Sequence, residues 1–147
     1  MSVKIRRPAP GRFGTHPVHV SFTAGTNPLT ANTTVAFRVP TPPGKFFFSK
    51  ASVMCDTVTA DADGTSLITI RKYDASADAE VDLTTAVDLD TLTTLERTNL
   101  VRDAATTDAQ CILDTGDTLG FKVVNNSAAI NTQPTSLSVT IELFQID

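Results

Sequence analysis

The 147-residue chain is 41% hydrophobic and 19% charged, enough for one folded domain with a real core and too short for two ordinary ones. No apolar stretch approaches the roughly 20 residues of a membrane-spanning helix, so no membrane partner is expected. The net charge of −4 hides a division: residues 1–55 hold seven Lys and Arg and no acid, and the rest hold five cations and all sixteen Asp and Glu. Either one end of the protein docks on an acidic surface, or mixed strands bring the halves together and cancel the charge locally.

Residues 1–15 carry Lys4, Arg6, Arg7 and Arg12 with two prolines and two glycines. They lack a helical period and read as an extended basic arm. No apolar segment follows the cations, so a secretory leader is not expected. From residue 16 to 147 the pattern changes to short β segments separated by turn residues.

Val18, Val20 and Phe22 alternate with His19, Ser21 and Thr23, and after Asn27-Pro28 the run 33–39 alternates Val35, Phe37 and Val39 with polar or small residues. Pro40 to Gly44 turn the chain into a longer run containing Phe46, Phe47 and Phe48. Three consecutive phenylalanines on a strand must point both ways, so at least one leaves the main core face and packs under the arm or helical turn or enters a subunit interface. Asp61-Ala-Asp-Gly64 reads as a turn. The run 66–73 then places Ile68, Ile70 and Lys72 on one face, and Leu67, Thr69, Arg71 and Tyr73 on the other. In residues 84–95, Leu89, Leu92 and Leu95 recur at helical spacing behind Asp88 and Asp90, which predicts a short helix or helical turn.

Strands are expected again at 98–101 and 109–113. Asp114-Thr-Gly-Asp117 is read as a tight turn into a strand at 118–125, where Leu119, Phe121 and Val123 alternate. A polar loop at 125–134 precedes the cleanest strand, 136–146, with Leu137, Val139, Ile141 and Leu143 on one face. The whole predicts an all-β protein: an antiparallel β-sandwich of jelly-roll type with about eight strands, one short helical turn and an extended N-terminal arm.

Catalytic patterns are thin. His16 and His19 are the only histidines, no Gly-x-Ser-x-Gly elbow is present, and no enzyme activity is expected. Two distant cysteines, Cys55 and Cys111, and two histidines lack the close pairing of a structural zinc site. The thiols read as buried and reduced, with a disulfide as the alternative. The Asp61–Asp63 and Asp114–Asp117 turns lack the remaining ligands of a calcium loop, so neither metal nor cofactor is expected. Acids such as Asp74, Asp78, Glu80 and Asp82 surround turns, where solvated charge is the norm. With no Trp and one Tyr, Tyr73, the aromatic platform for sugars is thin. The basic arm suits phosphates as well as an acidic protein surface, but the chain is acidic and has no recognition motif, which favours a protein partner over nucleic acid.

The segment opening Gly116-Asp-Thr-Leu-Gly-Phe-Lys-Val-Val and closing Ser136-Leu-Ser-Val-Thr-Ile-Glu-Leu resembles the closing hairpin of small β-sandwich proteins from tailed-phage structural modules. Ala86-Val-Asp-Leu-Asp-Thr-Leu resembles a linker between their strands. The resemblance covers about residues 35–143 and implies a capsid decoration (cement) protein. Such a protein sits on the outer capsid surface after synthesis in the host cytoplasm, often as a homotrimer, and bridges major-capsid subunits. The capsid-binding residues expected here are Lys4, Arg6, Arg7, Arg12 and Phe13, with Phe46, Phe47 and Phe48 at a subunit interface. The alternative is a tail or fibre β-sandwich module that binds host glycan or another virion protein.

Overall fold

The computed structural model describes residues 18–23, 33–38, 45–56, 65–125 and 137–146. In chain order the strands are β1 (Val18–Thr23), β2 (Thr33–Arg38), β3 (Lys45–Met54), β4 (Ser66–Asp74), β5 (Ala79–Asp82) and β6 (Val87–Asp88), then a 3-10 turn at Leu89–Thr91. After it come β7 (Thr98–Leu100), β8 (Ile112–Leu113), β9 (Thr118–Asn125) and β10 (Ser138–Ile146).

All pairings between these strands are antiparallel. One sheet runs β1-β10-β3-β7, with β8 also on β3; the other runs β2-β9-β4-β5, with β6 also on β4. Taking β5 with β6 and β7 with β8 as two interrupted strands, the orders are first-eighth-third-sixth and second-seventh-fourth-fifth. That interleaving is the jelly roll.

Period-2 alternation builds the core between the sheets. Val139, Ile141 and Leu143 of β10, with Ala51 and Val53 of β3, meet Ile68 and Ile70 of β4 and Leu119, Phe121 and Val123 of β9 in one buried cluster. Cys55 and Cys111 are free thiols inside it.

The helical expectation for residues 84–95 shrinks to one 3-10 turn. The Asp88 side chain accepts from the Asp90 and Ser66 backbone N–H groups, tying the turn to the start of β4. Leu89 is buried, Leu92 half-buried and Leu95 exposed with φ of 60°, so the leucine spacing is not a helical stripe. The expected strand at 109–113 begins only at Ile112, because turn bonds from Cys111 N–H to the Thr107 and Asp108 carbonyls hold the preceding residues. Glu80 and Asp82 lie on β5, a short charged edge strand with too few apolar residues to show a pattern. The turn readings at Asn27-Pro28, 40–44 and 61–64 and the loop at 126–134 fall outside the described residues.

Candidate functional site

Beyond the bulge in β3, the outer face of the β1-β10-β3-β7 sheet is polar because alternation turns the apolar residues there inward. Two rows cross it in register: His19, Glu142 and Lys50, then Ser21, Thr140, Ser52 and Asn99. A shallow cavity of about 180 Å³ opens here, lined by these two rows' His19, Lys50, Ser52, Asn99, Thr140 and Glu142 and by Arg97. Glu142 is already matched: the Ser49 hydroxyl donates to Oε1 at 3.1 Å, and Lys50 Nζ lies 3.4 Å from Oε2. Arg97 Nη1 reaches the Ser52 hydroxyl at 3.5 Å. The chemistry on offer is hydrogen-bond donation and positive charge. Ser49 and Ser52 are turned to Glu142 and Arg97, and both cysteines lie in the core.

A second polar cluster lies at one end of the sandwich. Lys72, on the inward face of β4 and 3% exposed, donates to the Ile112 carbonyl at 2.8 Å and to Asp74 Oδ2 at 3.0 Å, with Asp117 Oδ2 at 3.7 Å. Asp117, also 3% exposed, accepts from the Ala75 and Asp114 N–H groups at 3.0 and 2.9 Å. Asp74 Oδ1 takes the Ser76 hydroxyl and the Ser76 and Ala77 N–H groups. The Ser76 hydroxyl first, and then Lys72, hold the Asp74 carboxyl down at about 2. Every oxygen of Asp117 is engaged by the protein's own groups, so the Asp114–Asp117 turn is a structural knot. The periodicity of residues 66–73 already placed Lys72 on the apolar face; its carboxylate partners were the part that sequence reading missed.

The phenylalanine run is followed directly by a β-bulge. Leu143 pairs with Phe48 but Glu142 with Lys50, so Ser49 is the extra residue and the parity of β3 flips there. Phe48 therefore points inward and is wholly buried, although Ala51 and Val53 do so as well. Phe47 shares the opposite face with its register partners Phe144 and Ile112. Phe46 and Phe47 are half-buried against the core. Of the three, only those two have surface to offer a neighbour.

Lys4, Arg6, Arg7, Arg12 and Phe13 lie outside the described residues. Of the other cations in the acid-free half, Lys45 pairs with Asp114 at 3.1 Å and Lys50 with Glu142. Local cancellation holds at both.

No protein-family model and no curated protein matches the sequence. Among solved structures, the fold is similar to a chain in the capsid of Ralstonia phage GP4, with a TM-score of 0.53 at 11% identity. The alignment covers 95% of this chain and 90% of that one. The likeness is one of fold. The two chains are therefore similar in length, and the fold match spans most of each. The resemblance to phage β-sandwich proteins drawn from residues 116–143 leads to the same architecture.

Proposed function

We propose that this protein is a non-enzymatic virion component that decorates a phage capsid and stabilises it by bridging neighbouring major-capsid subunits. The observation that carries the reading is the fold match over most of two chains of similar length, one of them part of a phage capsid. The polar outer face, with its serines turned to Glu142 and Arg97, supports a binding role over a catalytic one.

In this reading residues 1–15 are the arm and residues 16–147 the body. Lys4, Arg6, Arg7 and Arg12 give charge-assisted contacts to the shell and Phe13 an apolar one. Phe46 and Phe47 meet a second copy, Phe48 being committed to its own core. A homotrimer would multiply weak arm contacts through effective concentration.

The test has two parts. Cryo-electron microscopy of particles carrying the protein should place the sandwich outside the shell, where capsid subunits meet; density at a tail fibre would instead favour the glycan-binding alternative. Replacing the four arm cations with serine should release the protein from heads at moderate salt while leaving it folded, and unchanged occupancy refutes the clamp.

A further inference from the structure

Charge is distributed unevenly around the outer-face cavity. Lys45, Lys50, Arg71, Lys72 and Arg102 each face a carboxylate. Arg97 has none among the described residues; its Nη1 meets the Ser52 hydroxyl at 3.5 Å, the outer limit of a hydrogen bond. Lys122 also lacks a carboxylate partner among them, but it lies on the opposite sheet. Glu142 is the acid that lines the cavity, and Ser49 and Lys50 already occupy its two oxygens. Lys50 and Arg97 together outnumber it by one charge. A single added carboxylate therefore balances the cavity and finds the planar fork of an arginine able to hold it at two points. A phosphate dianion would overshoot that balance and be repelled by Glu142.

The second row of the face adds chemistry that a bare carboxylate leaves unused. Thr140, Ser52 and Asn99 are register neighbours across β10, β3 and β7, and adjacent strands lie about 4.8 Å apart. Each of these side chains both donates and accepts hydrogen bonds, so the row matches a ligand that carries several hydroxyls. Among the described residues the lining holds no Phe, Tyr or Trp, and its one apolar member is Ala51, 2% exposed. An apolar ligand finds nothing to pack on there, and a neutral sugar ring nothing to stack on. The volume of about 180 Å³ is also smaller than the roughly 300–1,000 Å³ of drug-sized pockets, so the cavity takes one small unit.

We infer that this cavity binds a single acidic sugar unit, a uronate, with its carboxylate on Arg97 and its hydroxyls on Ser52, Asn99 and Thr140. The scarcity of Trp and Tyr counts against neutral sugars, which depend on stacking, and leaves a charged one held by its carboxylate. The site is separate from the arm and from the phenylalanine run. Its test needs no particle, so this inference and the decoration reading can fail separately.

The experiment is a titration of the isotope-labelled full chain with sodium glucuronate and, separately, sodium galacturonate at constant ionic strength, followed by amide chemical shifts. At least one of them should move Lys50, Ser52, Arg97, Asn99 and Thr140, with a Kd about fivefold or more below that for glucose, sodium acetate or inorganic phosphate. In folded variants, Arg97→Ser should weaken that binding roughly tenfold and Thr140→Val about threefold. Silence at these amides with both uronates overturns the inference. So does an equal response to glucose, which would make the charge irrelevant. An equal response to acetate or phosphate overturns it too, since the cavity would then be an ion site without a sugar. An undiminished response in either variant has the same consequence.

Discussion

A buried lysine is stable only where its ammonium finds partners, and Lys72 has the Ile112 carbonyl and two aspartates. Removing Asp117 leaves the Ala75 and Asp114 N–H groups without their acceptor and takes a carboxylate from Lys72. Asp117→Ala should therefore lower the unfolding free energy by about 3–5 kcal/mol in urea titrations. A loss below ~1 kcal/mol would mean the knot is dispensable. Asp74 adds a pH dependence. Its folded carboxyl sits at about 2 against an ordinary 3.8, so its contribution is present above pH ~4 and disappears as pH falls towards 2. The urea midpoint of the parent should drop across that window more steeply than that of Asp74→Asn. Burial, first of all, pushes the Cys55 thiol up to about 11 and raises that of Cys111 as well. A thiol reagent at pH 8 should label neither until the protein unfolds. The burial of both cysteines was legible from their apolar surroundings, whereas Ile112 and Asp117, the partners of Lys72 that lie 40 or more residues away, leave no mark on local pattern.

Strand existence followed from alternation, and β1, β2, β3, β4, β9 and β10 lie within a residue or two of their expected bounds. What alternation could not supply was the bulge at Ser49, because nothing in the residue type of a serine marks it as extra. That bulge decides which phenylalanine is core. Phe48→Ala should cost about 3–5 kcal/mol and Phe47→Ala less than half as much; equal losses would show that the bulge does not sort the run. The turn before β9 depends on backbone instead. Gly116 holds a φ of 96°, and a Cβ there would meet only Ala75 Cβ at an ordinary 3.8 Å. Gly116→Ala should cost about 1–2 kcal/mol from conformation alone. The leucines at 89, 92 and 95 rightly marked a helical turn but not its length. Helical spacing is a necessary sign, but Asp88 closes a single turn and Leu92 is already extended, with ψ of 157°.

At the scale of the molecule, the division of charge along the chain and its distribution in space are different things. The jelly roll interleaves the halves: β1 and β3, from the acid-free half, flank β10 from the acidic one, and β2 lies beside β9. This topology brings Lys45 to Asp114 and Lys50 to Glu142, and it could not be foreseen from composition, since alternation names strands without naming their neighbours. Under the arm-and-body proposal, the charge polarity that matters for docking is that of Lys4, Arg6, Arg7 and Arg12. The two ends of the chain should accordingly respond differently to deletion. A chain of residues 16–147 loses four cations and no acid, which takes the net charge from −4 to −8. Under the arm-and-body division it should still unfold cooperatively within a few degrees of the full chain. A chain ending at residue 137 loses β10, the strand between β1 and β3 that contributes Val139, Ile141 and Leu143 to the core. It should show no cooperative transition by circular dichroism. A large drop in midpoint for the first deletion would give residues 1–15 to the body, and the basic arm would then have to be sought elsewhere.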